Sequence, residues 1–377
     1  MVVEDFDFLV IGGGVAGCAA AYGLTAHGRV CVLERESSPG YHSTGRSAAL
    51  HTETYGNAAI RALTVGSRAF LLDPPDGFTD HALLSPRGAM TIGHADQGEL
   101  LDRAYDDSVR FVPSVRRLSP AQAIERVPVL NPHYVAGAMF EPDAMDMDVN
   151  AIHQGYLKGH RAGGGRLVVN AEIKGLSGGA GSWRAVTPAG EFRAPVIVNA
   201  AGAWCDEIAE LAGIAPIGLT PKRRTAFTFA APEDTEPADW PMVIDVAEKF
   251  YFKPESGLLL GSPADETPID PQDVQPEELD VALGADRIQK ATVMEIRRIE
   301  RKWAGLRSFV TDKTLVAGFD AQAPGFFWLA GQGGYGIMTS PAMSRVVAAL
   351  ATGQPFPDDL AALGVTADDL SPGRLRP

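Results

Sequence analysis

The sequence of 377 residues predicts an α/β fold with two domains, one of them built on a parallel sheet. Near the N-terminus, two short apolar runs, residues 6–11 and Val30–Leu33, flank an Ala-rich segment with helical propensity, residues 15–26. This order of strand, helix and strand is typical of a parallel sheet. The second observation is length, because a single hydrophobic core stops growing at roughly 250–300 residues.

Later segments predict the remaining elements. Between about residues 51 and 145, Pro and Gly breaks separate short apolar runs. The pattern then predicts a helix at Val149–Ala162, a buried strand at 196–200, strands at 225–230, 249–254 and 257–262, a charged helix at 278–296, a strand at 325–330 and a helix at 340–353. We therefore predict a discontinuous parallel-sheet domain of residues 1–50, 145–215 and 305–377, and a second domain of residues 51–144 and 216–304.

Charge and composition exclude several classes of protein. The formal net charge of −14, from 33 basic and 47 acidic residues, repels phosphate backbones, so we expect no nucleic-acid partner. Cys18, Cys31 and Cys205 cannot build a disulfide framework and lack metal-ligand spacing, so we expect no metal site. The N-terminus is acidic, and no run approaches the roughly 18 apolar residues of a membrane span. We expect a protein in the cytoplasm, or peripherally at the inner face of the membrane, with no integral membrane segment.

The segment IGGGVAG predicts dinucleotide binding. It places Gly12, Gly14 and Gly17 in GxGxxG spacing between a predicted strand and a predicted helix. Glu34 ends the next strand, at the distance where an acid binds a ribose hydroxyl. An acid here disfavours a 2′-phosphate, so FAD or NAD is preferred over NADP. A plain Gly-rich turn is the alternative interpretation.

A second polar segment, YHSTGRSAAL, follows at residues 41–50. Its hydroxyls offer hydrogen-bond donors, Arg46 offers a cation, and its small residues let a flat ring approach the backbone. The residues concerned are Ser43, Thr44, Gly45, Arg46, Ser47, Ala48 and Ala49. The alternative is a polar turn with a surface arginine.

Together with IGGGVAG and Glu34, four further segments, STGRSAA, VNAAGAW, WAGLR and GQGGYGI, lie in the same order from one end of the chain to the other. With them the sequence resembles the FAD-dependent D-amino acid oxidase and glycine oxidase family, and within it the D-arginine dehydrogenases. The resemblance implies a Rossmann-like FAD-binding domain and an α+β substrate domain on a mostly antiparallel sheet.

The resemblance also implies which residues bind FAD. Glu172 and Ile173 would hold adenosine through their backbone, and GQGGYGI would face the flavin near N1 and C2=O. The full set is Gly12, Gly14, Val15, Ala16, Gly17, Glu34, Arg35, Ser43, Thr44, Gly45, Arg46, Ser47, Ala48, Ala49, Glu172, Ile173, Ala201, Gly202, Trp204, Gly305, Arg307, Gly333, Gly334, Tyr335, Gly336 and Ile337.

By the same resemblance, four residues act on the substrate. Arg224 and Arg307 would bind the carboxylate of an amino acid, since the guanidinium fork matches two oxygens. Tyr251 and Tyr55 would add hydroxyl hydrogen bonds. From the residues alone, Arg224 also fits a solvated basic triplet, and both tyrosines fit ordinary packing.

The side-chain pocket departs from the D-arginine dehydrogenases. There an acid precedes the Met of this segment and pairs with a cationic substrate, whereas this chain has Ala89 in LLSPRGAM. Likewise Leu50 stands where a His is usual. The implied pocket residues are Leu50, His51, Ala89, Met242, Ile244 and Gly334. Because a buried guanidinium without a counter-charge costs several kcal/mol, we expect a mainly apolar pocket that prefers neutral or hydrophobic D-amino acids over D-arginine.

The expected reaction is transfer of a hydride from the substrate Cα to flavin N5, giving an imino acid that hydrolyses to a 2-oxo acid and ammonia. No strong general base is evident, and His51 is a candidate by position alone. The electron acceptor is a quinone, another carrier or O2. Three alternatives remain: a glycine or sarcosine type oxidase of the same fold, a non-catalytic FAD-binding protein, and an NAD-linked dehydrogenase.

Overall fold

A six-stranded sheet, which we call the nucleotide sheet, lies at one end of the computed structural model, which describes residues 3–179 and 181–376. Its strands, in spatial order, are Arg166–Val168, Val30–Leu33, Phe8–Ile11, Val196–Asn199, Phe326–Ala330 and Val316–Phe319. The first five are mutually parallel and the sixth is antiparallel. The predicted α/β fold is therefore confirmed. Residues 1, 2, 180 and 377 of the predicted domain ranges lie outside the described residues.

Burial on both faces explains why the strands of the nucleotide sheet are continuously apolar. Along Phe8–Ile11, alternate side chains enter two different hydrophobic cores. One core contains Phe8 and Val10 together with residues of the helices Val15–Leu24, Val149–Ala162 and Ser340–Ala351. The other contains Leu9 and Ile11 with the helix Cys205–Leu211. Helices on both faces leave only the strand ends open to a ligand.

One long helix was missed from the sequence. Ala58–Leu72 begins at Asn57, whose side chain accepts a hydrogen bond from the backbone N–H of Ile60 at 3.1 Å. Its buried residues recur at helical spacing, and its apolar face packs on the core that also contains Phe8 and Val10. This helix therefore packs with the nucleotide sheet, although it falls within the range assigned to the second domain.

A second large sheet, which we call the wall sheet, has nine strands. In spatial order they are Thr267–Pro268, Thr220–Phe229, Leu258–Ser262, Tyr251–Glu255, Met242–Asp245, Ala89–Gly93, Gly137–Glu141 and Arg116–Leu118, with Arg301–Phe309 paired to Thr220–Phe229. The pairing is antiparallel except between Met242–Asp245 and Ala89–Gly93. A second, sheet-rich part is thus confirmed, and its residue boundaries stay a prediction.

Smaller elements complete the described chain. Two further sheets contain the strands Val3–Asp5, Gly190–Ala194, Ser182–Thr187 and Gly175–Gly179, and the strands Leu50–His51, Met145–Met147 and Leu84–Pro86. The other α-helices are Gly98–Val109, Pro120–Arg126, Glu278–Ala291, Asp358–Ala362 and Ala367–Leu370, and the 3-10 helices are Ala95–Gln97, Gly202–Trp204, Pro237–Asp239 and Pro372–Leu375. Within the described ranges, every helix is too short or too polar to span a bilayer.

Candidate active site

A cavity of about 770 Å³ runs from the nucleotide sheet to the wall sheet. At its first end lie residues at or just beyond the carboxyl ends of four parallel strands: Ile11, Leu33, Ala200 and Gln332. Ligands of open α/β sheets bind outside these strand ends, at the point where helices begin. The topology therefore places a binding site where the sequence predicts one.

Steric contacts account for the glycines of the first turn. Gly12 has a φ of +107°, and a Cβ there would lie 2.5 Å from the carbonyl oxygen of Ala200. A Cβ on Gly17 would lie 1.9 Å from the carbonyl oxygen of Gly12. Gly17 does not line the cavity, so it acts by letting the helix Val15–Leu24 pack closely on the turn. Gly12, Gly14, Val15 and Ala16 do line it.

Glu34 is buried at the end of its strand and joins the glycine turn. Its carboxylate accepts hydrogen bonds from the backbone N–H groups of Gly13 at 2.7 Å and Glu36 at 2.8 Å. Burial raises the pKa of this carboxyl, while the two N–H donors oppose the rise. A carboxylate offers about four acceptor positions, so Glu34, which lines the cavity, keeps capacity for hydroxyl donors.

The segment 43–49 crosses the middle of the cavity. The Ser43 hydroxyl donates to the carbonyl of Leu306 at 2.6 Å, and the Thr44 hydroxyl accepts from the backbone N–H of Val15 at 3.0 Å. Arg46 lines the cavity, but its guanidinium already donates to the carbonyls of Val274 and Ala304 and pairs with Asp273. Arg46 therefore links distant segments of the chain, and its guanidinium is not a free cation.

The neighbours of Arg46 divide into two groups. Ser47, Ala48 and Ala49 line the cavity, as expected for a surface that a flat ring approaches. Gly45 does not line it, and its N–H donates to the carbonyl of Gly40 at 2.8 Å. Gly45 therefore shapes the turn.

The end of the cavity beside Glu34 carries an aromatic and cationic rim. The guanidinium of Arg35 lies over the ring of Trp204, 4.9 Å from its centroid. Glu172 and Ile173 line the same end, together with Ala201 and Gly202. A planar base with a ribose has suitable partners here, and the adenosine position stays a prediction.

The turn between Phe326–Ala330 and the last long helix lines the other half of the cavity. The lining here comprises Gly333, Gly334, Tyr335, Gly336 and Ile337, together with Gly305 of the strand Arg301–Phe309. A Cβ on Gly334 would lie 2.8 Å from Nη1 of Arg307. Glycine at this position therefore lets the Arg307 side chain lie directly across the turn.

Arg307 is a cation of the site that lacks an acidic partner among the described residues. Its Nη1 donates to the hydroxyl of Tyr55 at 3.2 Å, and no acid of the described residues forms an ion pair with it. Burial acts to lower the pKa of Arg307, but Tyr55 and Tyr251, with more distant acids, raise it overall. The guanidinium is therefore charged and partly unpartnered, as an anion site requires.

Arg224 already has hydrogen-bond partners within the protein, which the sequence does not indicate. It is 9% exposed, its Nε donates to the carbonyl of Asp265 at 2.8 Å, and its Nη2 contacts Glu266 at 3.3 Å. Burial and then the nearby charge of Arg307 lower its pKa. The basic triplet is not a solvated face, because Arg223 is buried against acids and Lys222 pairs with Glu266.

Strand register in the wall sheet explains the composition of the side-chain pocket. One row across the strands is Tyr251, Ile244, Thr91 and Met139, and the next is Met242, Ala89 and Glu141. Residues directly opposite one another point to the same face of a sheet, and all seven line the cavity. Leu50 packs with Ala89, Met242 and Tyr251 in one apolar cluster.

Glu141 is a functional candidate that the sequence reasoning missed. It is 3% exposed and stands beside Ala89, so the pocket contains a carboxylate although position 89 does not supply one. The hydroxyls of Thr52 and Thr54 and the backbone N–H of Glu53 donate to it, at 2.6, 2.7 and 2.8 Å. Burial raises its pKa against these three bonds. Only the strand pairing, which is non-local, reveals that Glu141 and Ala89 are neighbours.

The structure corrects the expectation for His51. Successive side chains of a strand point to opposite faces, so Leu50 lines the cavity and His51 points away from it. The His51 side chain is fully buried, and within the described chain neither ring nitrogen has a hydrogen-bond partner. Burial lowers its pKa to about 4, with a contribution from Arg68. His51 is therefore a neutral packing residue with no access to a substrate.

The residues present fit FAD. The glycine turn would hold the pyrophosphate, Glu34 a ribose hydroxyl, and the rim of Arg35 and Trp204 the adenine. Small residues leave room for a flat ring between the segment 43–49 and the turn before the last long helix. These assignments to FAD stay predictions for each residue.

Comparisons with known proteins bear on the whole chain. Residues 7–350 match the family model described as FAD dependent oxidoreductase (DAO). The crystal structure of L-proline dehydrogenase from P. horikoshii superposes with a TM-score of 0.85 at 22% identity, covering 99% of this chain and 98% of that one. Glycine oxidase from Geobacillus kaustophilus gives 0.83 at 24% identity, with coverage of 97% and 99%. FAD-dependent oxidoreductase domain-containing protein 1 of Xenopus laevis is 23% identical over 92% of this chain and 79% of that protein.

Proposed function

The chain belongs to the DAO family of FAD dependent oxidoreductases, and from that premise we propose that it oxidises D-amino acids with neutral or hydrophobic side chains. The predictions of FAD as cofactor and of an oxidoreductase are confirmed by this membership. The proposal adds the substrate class, its configuration and its side-chain preference.

One observation carries the proposal: Arg307, charged and without an acidic partner among the described residues, faces the cavity that begins at the glycine turn. A guanidinium in such a position favours a carboxylate, and Arg224 and the hydroxyls of Tyr55 and Tyr251 surround the same space. Arg224 would contribute mainly through Nη1, since Nε and Nη2 already have partners. Fixing the carboxylate in this way orients the Cα–H of an amino acid.

FAD, when bound, supplies the hydride acceptor of this reaction. The protein's own groups bind the carboxylate and orient the substrate. The pocket wall of Leu50, Met242, Ile244 and Ala89 supports an uncharged side chain. The resemblance to D-arginine dehydrogenases supports the D configuration and a non-oxygen acceptor, while Ala89 argues against D-arginine as the best substrate.

A panel of substrates tests the proposal directly. Steady-state rates would be measured for D- and L-forms of leucine, phenylalanine, methionine, arginine and lysine, and for glycine and sarcosine, with a quinone analogue or O2 as acceptor. We expect neutral D-amino acids to give the highest kcat/KM. Best activity with D-arginine, with an L-amino acid or with sarcosine would replace the proposal with that activity. Mixing the reduced protein with air separates the acceptors, because fast reoxidation of the flavin identifies an oxidase.

A further inference from the structure

Glu141 lies at the junction of the wall sheet and a segment that has no regular structure of its own. Residues 52–57 form neither helix nor strand, yet they carry Tyr55. Three consecutive residues before Tyr55 donate to the Glu141 carboxylate: the hydroxyls of Thr52 and Thr54 to Oε2, and the backbone N–H of Glu53 to Oε1. The buried Glu141 side chain therefore holds the three residues that precede Tyr55.

The other end of the segment is tied by a separate contact. The side-chain amide nitrogen of Asn57 donates to the hydroxyl of Thr314 at 2.8 Å. Its side-chain oxygen accepts a hydrogen bond from the backbone N–H of Ile60 and so caps the following helix. Between these two anchors, the Tyr55 hydroxyl accepts the hydrogen bond from Nη1 of Arg307 at 3.2 Å. Because Tyr55 lies directly after the residues that Glu141 binds, loss of that carboxylate would free one side of the segment.

We propose that Glu141 is a positioning residue: it holds the Thr52–Glu53–Thr54 backbone so that Tyr55 orients Arg307 toward the substrate carboxylate. It touches neither the reacting atoms nor the substrate carboxylate, and it acts through Tyr55. Its kinetic readout rests on the proposed function.

The alternative role for Glu141 is recognition of a cationic substrate side chain, since it neighbours Ala89. The hydrogen bonds decide against it. Three donors already occupy the carboxylate, and the residue is only 3% exposed, so little acceptor surface remains for a substrate. The two roles make different demands on the carboxylate, because positioning needs acceptors and recognition of a cation needs the negative charge.

Two substitutions separate these roles. Glu141→Gln keeps an acceptor for the Glu53 N–H, and its amide can donate to the threonine hydroxyls, which also accept. Glu141→Ala removes all three bonds. We expect Glu141→Gln to change the KM for a neutral D-amino acid by less than about threefold, and Glu141→Ala to raise it by about tenfold or more, as the loss of an oriented hydrogen bond does.

A double-mutant cycle with Tyr55→Phe tests the path. If Glu141 acts through Tyr55, the Glu141→Ala change should alter KM by no more than about twofold in the Tyr55→Phe background, a clear departure from additivity. Additive effects would overturn the proposal. So would a Glu141→Gln variant as impaired as Glu141→Ala with losses confined to D-arginine and D-lysine, because that result assigns Glu141 to substrate charge.

Hydrogen exchange gives a readout that does not need turnover. In the FAD-bound protein, Glu141→Ala should accelerate exchange of the amides of residues 52–56, while Glu141→Gln should leave them near wild type. Unchanged exchange in Glu141→Ala would refute the positioning role even for a protein that oxidises no amino acid. If no amino acid is oxidised but exchange rises as expected, the proposed function fails and the positioning role stands.

Discussion

The two ends of the cavity are built in different ways. At the nucleotide sheet, much of the lining is backbone, namely a glycine turn, carbonyls at strand ends and the N–H groups that Glu34 binds, with the side chains of Arg35 and Trp204 at the rim. At the wall sheet it comes from side chains that alternate along four paired strands. A site built from backbone is recognisable in the sequence as a contiguous motif, here IGGGVAG. A side-chain-built site depends on which strands pair, so single residues can change there without changing the fold.

The two ends should therefore respond differently to substitution. A Cβ added at Gly12 or Gly17 would lie 2.5 or 1.9 Å from a backbone carbonyl oxygen, so we expect such a substitution to disrupt the whole cofactor end. A side chain exchanged on the wall sheet alters what binds and leaves the cofactor end intact.

Gly17→Ala should give the largest effect, because its Cβ would lie 1.9 Å from the carbonyl of Gly12. We expect a protein that retains little or no FAD, measured as the ratio of flavin to protein absorbance after purification. Gly98→Ala is the matched control, since a Cβ there meets nothing within 4 Å. If Gly17→Ala keeps a full complement of FAD, the close packing of this turn is not needed for binding.

Arg307→Ala should retain FAD and impair substrate binding far more than cofactor binding. Loss of a buried charged partner for a carboxylate costs about 2–5 kcal/mol, or roughly 30-fold to several thousandfold in kcat/KM. The kcat/KM of Arg307→Lys should lie between those of the wild type and Arg307→Ala, because lysine keeps the charge and loses the guanidinium fork. Kinetics of Arg307→Ala equal to those of the wild type would remove Arg307 from the substrate site.

His51→Leu tests the face of the strand Leu50–His51 that points away from the cavity. Burial lowers the His51 pKa from 6.5 to about 4, so the unfolded chain binds the proton first and stability falls as pH drops from 6.5 towards 4. Between pH 7.5 and pH 5 this group costs the wild type about 2 kcal/mol of unfolding free energy. Denaturant unfolding at both values should show a smaller fall for His51→Leu, with kcat unchanged. An equal fall in both proteins would place the titration elsewhere.

Ala89→Glu should give the smallest change, confined to side-chain preference. The new carboxylate would stand between Met242 and Glu141, and we expect the ratio of kcat/KM for D-arginine to that for D-leucine to rise by about tenfold. The gain is limited by repulsion from Glu141 across the strand pair. Ala89→Gln is the uncharged control. An equal rise in both variants would show that charge at position 89 does not set the preference.

The contrast also explains what the sequence could predict. The glycine turn, Glu34 and the strands that precede them are local, and the structure brings most of the predicted cofactor residues to one cavity, with Gly17 and Gly45 acting beside it. The hydrogen bonds that commit Arg46 and Arg224 cross between distant segments and leave no local trace. Glu141 belongs to the pocket only because its strand pairs with that of Ala89, and His51 lies outside it because of strand alternation.

Anaerobic titration of the FAD-bound protein with D-leucine, followed by visible absorbance, measures whether a neutral D-amino acid held by Arg307 reduces the flavin. We expect the oxidised flavin bands to bleach completely, and Arg307→Ala to need at least about 30-fold more D-leucine for the same bleaching. Flavin bands that persist with every D-amino acid at saturating concentration, or identical titrations for both proteins, would contradict it.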